Sequence, residues 1–435
     1  MPDATFTAPD VTTFTGLDGL GLVAVGQRIE ATRAVIVCRV ADPGGVCDRC
    51  GQFGVMRDTV TRWLAHAPWG WRPTVLQVRV SRFRCPDCAH VWRQDTGLAA
   101  EPRARISRAG LRWALEGIVC QHLTMSRVAE GLGVSWNTAN QAVLDEGRRV
   151  LIADPTRFDT VRVIGVDEHV WRHTRKGDKY VTVIIDLTPV RDGTGPARLL
   201  DMTEGRSKHV FKTWLASRPA WWRDQIDIVA MDGFIGFKTA TQEELPDAVA
   251  VMDPFHVVRL AGDALDKTRQ RVQQHTLGHR GRSGDPLFTA RRTLCTGQAL
   301  LTTTQHHRLD QLFADDRHTP VKAVWGVYQR IIDAYRHPDP ATGRHLMRHL
   351  ILTISTNVPP SFTELRRLGQ TLKRRIGDIL AYFTHPHASN GPTEAINGRL
   401  EHLRGSALGF RNLTNYIARS LLETGGFRPL LHPQL

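Results

Sequence analysis

Val161–Trp171 reads VRVIGVDEHVW, and Ile226–Phe234 reads IDIVAMDGF. Each is a short run of β-branched and apolar residues that stops at an aspartate, Asp167 in the first and Asp232 in the second. Runs of this length and composition predict buried strands. Working outward, Tyr180–Asp186, Ala197–Met202 and Ala248–Met252 read as further strands, the last ending at Asp253. Ser207–Ala216 reads as a helix with Trp214 and Leu215 on its inner side, and KGDK at Lys176–Lys179 as a turn.

Three strands, a helix, a strand, a helix and a strand is the order of a ribonuclease-H-like α/β fold. In that order the first and fourth strands are neighbours, so Asp167 and Asp232 come side by side despite their separation in the chain. A third carboxylate, Glu394 in SNGPTEAINGRLEHL (Ser389–Leu403), opens a later helix. Two strand-tip carboxylates and one on a helix can hold two Mg²⁺ ions over a phosphodiester, which is the chemistry of cutting and joining nucleic acid. A lone Asp after a strand is more often a turn residue or a helix cap; the strand order is what makes the pair informative. Glu168 points to the opposite strand face. Asp186, Glu401 and Glu423 are competing carboxylates.

The chain has 435 residues, a formal charge of +14 and 41% hydrophobic residues. That length suits about two to four domains. The positive surplus favours a polyanionic partner, because each Lys or Arg set against a phosphate releases counterions. MPDATFTAPDVTTF lacks the basic and apolar segments of a signal peptide. No apolar run approaches the ~18 residues of a membrane span. A cytoplasmic, nucleoid-associated protein is expected.

Four of the seven cysteines form two C-x-x-C pairs, Cys47/Cys50 and Cys85/Cys88, with strand-like sequence between them. Two such knuckles on two hairpins place four thiolates tetrahedrally, the closed site of a zinc ribbon holding one structural Zn²⁺. His90 is a competing ligand, but four Cys already fill the site. Arg79, Arg82 and Arg84 alternate along the strand before the second pair, on one face suited to phosphate contact. Cys38, Cys120 and Cys295 have no partner at ligand spacing and read as core thiols.

Ser107–Leu151 has the layout of a helix-turn-helix. Leu111, Leu115 and Ile118 mark the apolar face of a leading helix, and Thr124–Ser126 can cap the next. Gly131 or Gly133 makes the turn, and Ser135 caps a third helix. Trp136, Asn137, Thr138 and Asn140 then stand outside it, where together with Ser135 they can touch DNA in the major groove.

These marks together resemble the transposases of the ISL-three insertion-sequence group, a bacterial DDE family. The resemblance rests on CDRC and CPDC, the helices after them, GVDE at Gly165–Glu168, MDGF around Asp232, MDPFHVVR at Met252–Arg259, and SNGPTEAINGRL at Ser389–Leu400. It implies that Asp167, Asp232 and Glu394 are the DDE triad and ligate two Mg²⁺. Asp253 and His256 match the family's D-x-x-H element, and Asn397 its Asn one turn beyond the Glu; all three support the site. A helical insertion separates the second Asp from the Glu.

The resemblance implies an enzyme that binds the terminal inverted repeats of an insertion sequence. It cleaves the ends by two-metal hydrolysis and joins the 3′ ends to target DNA. The partner is double-stranded DNA, with at least a dimer in the DNA complex. Arg366, Arg367, Lys373, Arg374 and Arg375 are basic residues suited to holding the flanking duplex. The competing readings are a structure-specific nuclease on the same fold and a transposase-derived DNA-binding regulator without catalysis. The expected architecture is multidomain. It begins with a lead-in over 1–33, a zinc ribbon over 34–100 and a helix-turn-helix over 101–155. The first part of the ribonuclease-H-like core follows over 156–275, a helical insertion over 276–385, and the Glu-bearing helical part over 386–435.

Overall fold

The computed structural model describes residues 10–174, 179–385 and 388–432. The KGDK turn expected at Lys176–Lys179 falls almost wholly outside the described residues, as do the first nine of the lead-in. The chain forms two compact units. One comprises the residues up to Asp154 together with those from Leu403 on; the other is Pro155–His402.

The first unit carries a five-stranded sheet, β1 (Leu22–Ile29), β2 (Ala34–Val40), β3 (Val55–Trp69), β4 (Arg72–Arg84) and β5 (Val91–Arg93). Its order is β1-β2-β4-β3 with β5 added to β4, and the β2–β4 pairing is parallel. Thr74, Leu76, Val78 and Val80 alternate inward along β4, packing with Leu22, Ile36, Cys38 and Leu64. The same pleat puts Arg79 on the face opposite Arg82 and Arg84, against the expectation of one shared face. Arg82 is also held by Asp58 at 2.5 Å. Cys38 is in the core, where burial pushes its thiol up to about 11. Cys120 is half-buried and Cys295 exposed, so the three are not all core thiols as expected.

Counting helices of eight residues or more, α1 (Arg108–Gln121), α2 (Met125–Leu132) and α3 (Trp136–Gly147) follow the sheet. The side chains of Ser107, Thr124 and Ser135 accept the backbone N–H groups of Gly110, Arg127 and Thr138, satisfying first-turn donors that helix bonding leaves open. Gly133, at φ +63°, ends α2 and starts the turn into α3. The C-terminal helix Leu413–Thr424 packs on α1 and α3.

The second unit carries the sheet β10-β9-β6-β7-β8. Here β6 is Val163–Val170, β7 Tyr180–Asp186, β8 Arg198–Glu204, β9 Ile228–Met231 and β10 Val249–Met252. β6, β7 and β8 form an antiparallel meander, while β9 pairs in parallel with both β6 and β10. The helices α4 (Lys208–Ala216) and α5 (Ile235–Glu244) cover one face, where Phe211, Trp214 and Phe237 meet Ile164, Val166, Val229 and Met231. A second core is built by α6 (Pro254–Leu277), α7 (Thr303–Phe313), α8 (Thr319–Arg336), α9 (Pro340–Thr356), α10 (Thr363–Arg374) and α11 (Ile376–Thr384). The helix α12 (Gly391–Ser406) carries Glu394 in its first turn.

Candidate active site

The register of three parallel strands sets out the site. Val166 of β6 lies opposite Met231 of β9, and Met231 lies opposite Met252 of β10. The next residue along each is an aspartate, so Asp167, Asp232 and Asp253 stand in a row across the sheet. Asp232 and Asp253 follow the ends of β9 and β10, whereas β6 runs on to Val170, so Asp167 lies within its strand rather than ending it as expected. Alternation turns Ile164 and Val166 into the core under α4 and α5, and Gly165 and Asp167 to the other face. Glu168 turns away from Asp167 and pairs with Arg206 at 3.2 Å. Asp186 is buried on Arg198 at 2.9 Å and accepts the N–H of Thr188, so its role is structural.

Asp167 accepts the N–H of Glu168 on Oδ1 at 2.8 Å and the Nδ2 of Asn397 on Oδ2 at 2.9 Å. Its carboxyl is pushed up to about 7. Burial is the largest cause and the Glu168 N–H opposes it, while the charges of Asp232, Glu168 and Glu394 add to the rise. Asp232 accepts the N–H of Phe234 at 2.8 Å and borders an open cleft of about 740 Å³ shared with Glu168, Arg206 and Phe234. Asp253 is almost fully buried; its Oδ1 accepts the N–H of Asn390 at 2.9 Å, and its Oδ2 has no hydrogen-bond partner among the described residues.

Glu394 is exposed at the start of α12, where a helix N-terminus favours negative charge. Its carboxylate, one oxygen of Asp253 and one ring nitrogen of His256 lie within 4.8 Å of one another. Among the described residues, Asp167, Asp232 and Glu394 do not form a group that tight. Glu394 therefore stands between two sets of partners, near enough to Asp167 to raise its pKa and close against Asp253 and His256.

Residues with no obvious chemistry hold α12 in place. A Cβ on Gly165 would lie 2.6 Å from Thr393 Oγ1 and 2.9 Å from Asn390 Oδ1, so only glycine lets the start of α12 lie directly on β6. The Asn390 amide donates to the carbonyl of Val166 at 3.4 Å and accepts the Thr393 hydroxyl at 2.5 Å. Arg375 is buried, pairs with Asp378 at 2.5 Å, and donates Nη1 to the carbonyl of Gly233 at 2.9 Å, beside Asp232. Asp378 also pairs with Lys238 at 2.9 Å. Arg375 is thus removed from the set of cations available to a duplex. Its neighbours Arg366, Arg367, Lys373 and Arg374 are exposed. The sequence signals for these positioning residues are faint: a Gly before the strand aspartate, and the turn-prone Asn390-Gly391 before the helix.

A family profile for transposases of the ISL3 DDE type matches residues 164–420, more than half of the chain. This chain belongs to the ISL3 transposase family. It is 26% identical over 440 aligned residues to the transposase for insertion sequence element IS1557 of Mycobacterium tuberculosis, covering 92% of each chain. It is 24% identical over 375 residues to the transposase for insertion sequence element IS1001 of Bordetella parapertussis, covering 84% of this chain and 86% of the relative. Membership of a DDE transposase family implies a DNA-processing enzyme with a DNA partner and a divalent metal. The residues fit a cation: Asp253 carries one buried orphan oxygen, and burial, with the added charges of Asp232, Glu168 and Glu394, pushes up the carboxyl of Asp167.

The transposase also gathers its four knuckle cysteines. Sulfur–sulfur distances are 3.6 Å for Cys47–Cys88, 3.4 Å for Cys50–Cys85 and 3.6 Å for Cys50–Cys88. A tetrahedron with Zn–S bonds of about 2.3 Å has edges of about 3.8 Å, so the donor set fits zinc and is compatible with a zinc ribbon. The imidazole of His90 turns instead to Asp48 at 2.9 Å. On α3, Ser135 and Thr138 are occupied with each other at the cap, and Trp136 and Asn137 are exposed. Asn140 is buried, against the expectation that it stands on the outer face. Among the described residues no helix is long and apolar enough to cross a membrane.

Proposed function

We propose that this transposase binds the terminal inverted repeats of an insertion sequence, cleaves the ends, and joins the 3′ ends to target DNA. The observation that carries the reading is the placement of Asp167 and Asp232 side by side on adjacent parallel strands, each one residue past the Val166–Met231 pair, with the first turn of α12 lying on β6 through Gly165. The strand order supports a ribonuclease-H-like core, interrupted by a helical insertion between Asp232 and Glu394.

Asp167, Asp232 and Glu394 would hold two Mg²⁺ ions, which supply a nucleophile at neutral pH and stabilise the leaving oxygen. Asn397 orients Asp167 through its amide. Asp253 fixes the entry to α12 by accepting the Asn390 N–H, and so positions Glu394. His256 stands against Glu394 and limits where its carboxylate can swing. The open cleft beside Asp232 leaves that carboxylate accessible to a duplex end. The Cys47/Cys50/Cys85/Cys88 ribbon, with one Zn²⁺, and the α2–α3 pair carrying Trp136 and Asn137 recognise the ends. Synapsis of two ends requires at least a dimer on DNA, and the protein works on the nucleoid.

The test uses duplexes carrying the inverted repeats that flank the coding sequence. The Asp232→Asn protein is expected to bind them with unchanged affinity and to fail to nick them in Mg²⁺. Normal nicking by that variant would overturn the triad. Cleavage without plasmid strand-transfer products would favour the structure-specific nuclease. Binding without any cleavage by the unmodified chain would favour the regulator.

A further inference from the structure

The first unit contains a cleft of about 570 Å³ between the first turn of α3 and the turn that follows α12. That volume is within the roughly 300–1,000 Å³ range of sites that enclose small flat molecules. Trp136 and Asn137 line it from α3, with Asn140 deeper in; Phe410 and Asn415 line the other side. The ring of Phe410 is held edge-on by the buried Tyr416, 4.9 Å away. Arg419 also lines the cleft and is only 4% exposed. Its Nη2 donates to the carbonyl of Leu123 at 3.3 Å, and its buried Nη1 has no hydrogen-bond partner among the described residues. Burial lowers the pKa of this guanidinium and the charge of Glu423 opposes that, so Arg419 forms a cationic floor beneath the cleft.

The turn beside the cleft has a second unexplained feature. Leu408 adopts φ +55°, a conformation L side chains seldom take, and its side chain is 97% exposed. The N–H groups of Leu408 and Gly409 close the turn onto the carbonyls of Gly405 and Arg404, at 3.0 and 2.9 Å. Glycine or asparagine would satisfy that backbone, and nothing in the fold gains from an apolar side chain there.

We propose that the cleft holds a nucleobase turned out of the duplex, and that Leu408 fills the gap left in the base stack. Trp136 and Phe410 offer faces for stacking, while the amides of Asn137, Asn140 and Asn415 match the donors and acceptors on a base edge. An extruded base of this kind is read by stacking and edge hydrogen bonds, and an inserted leucine is a known way to unstack a step. A phosphate alone would need no aromatic walls. This explains why Asn140 is buried: it faces the cleft rather than the major groove. The proposal rests on the reading of the chain as a DNA-end binder.

The experiment uses the full chain and duplexes built from the repeats that flank its coding sequence. Thymine is placed at each terminal position on either strand in turn, and permanganate oxidation is followed with and without protein. One position is expected to become at least fivefold more reactive on binding. Leu408→Ala should return it to the reactivity of free duplex and weaken binding. An abasic nucleoside at the extruded position should restore the binding of Leu408→Ala and abolish the difference between Trp136→Ala and the unmodified chain, because no base remains to stack. A merely structural leucine would not respond to a DNA lesion. Tight binding with no reactive position, or no rescue by the abasic site, overturns the proposal and leaves the end-binding reading standing. Failure of the unmodified chain to bind the repeats overturns both.

Discussion

Gly165 is the narrowest point of the candidate site. Its absent side chain lets Asn390 and Thr393 lie against β6, and Glu394 follows directly on Thr393. A methyl group there must push the start of α12 outward, because both nearest atoms belong to side chains locked to each other. Displacing a catalytic group by about 1 Å can cost about 100-fold in rate. Gly165→Ala should therefore keep its far-ultraviolet circular dichroism and lose cleavage by about that factor. Cleavage at the normal rate would mean that the helix start does not govern the site. Arg375 makes the complementary case. Removing one partner of a buried ion pair costs about 3–5 kcal/mol, and Lys238 still faces Asp378 here, so Arg375→Met should cost about 3 kcal/mol in urea unfolding. A change under about 0.5 kcal/mol, the size of an ordinary surface substitution, would show that the pair does not support the fold. The sequence reveals Asp167, Asp232 and Glu394 because their residue types and strand or helix positions are local properties. It hides Arg375, which looks like its exposed neighbours until Asp378 and the carbonyl of Gly233 are brought to it from elsewhere. Asn140 misleads for the same reason: its face of α3 is covered by residues from the far end of the chain.

At the level of elements, periodicity and caps carry most of the information. The strands that carry Asp167 and Asp186 and those that stop just before Asp232 and Asp253 are visible as apolar runs, and Ser107, Thr124 and Ser135 cap the helices that follow the first sheet. The parallel pairing of β2 with β4 is not visible, because strand register between distant segments is set by packing rather than by either segment alone. The two cysteine knuckles are legible from spacing, and the backbone explains why. In each, the residue after the second Cys, Gly51 or Ala89, takes a positive φ, and the N–H of the first Cys bonds the carbonyl of Gln52 or His90. Two matching turns thus aim four sulfurs at one point. The purified chain should carry about one zinc per molecule by mass spectrometry, and Cys50→Ser should carry almost none, with a lower thermal midpoint. A full zinc complement in Cys50→Ser would require a different ligand set.

Across the whole molecule, the surplus of positive charge has a consequence that can be measured apart from any single contact. With a formal charge of +14, the chain should bind duplex DNA with an affinity that falls steeply as salt rises. The helix α10 buries Leu365, Leu368 and Leu372 and leaves Arg366, Arg367, Lys373 and Arg374 exposed, so four cations share the solvent side of one rigid element. Each phosphate that such a residue neutralises contributes about 0.9 to the slope of log K against log salt. Replacing all four by alanine should therefore reduce the slope by up to about 3.6 and weaken binding to any duplex sequence alike. Arg375→Met, which removes the same formal charge per residue, should leave the slope unchanged, because that guanidinium is sealed against Asp378. Charge counted along the chain cannot separate these cases; burial does. An equal loss of slope per residue in both variants would show that overall charge, not the exposed face of α10, sets the affinity. An unchanged slope in the fourfold variant would place the phosphate contacts on other parts of the molecule.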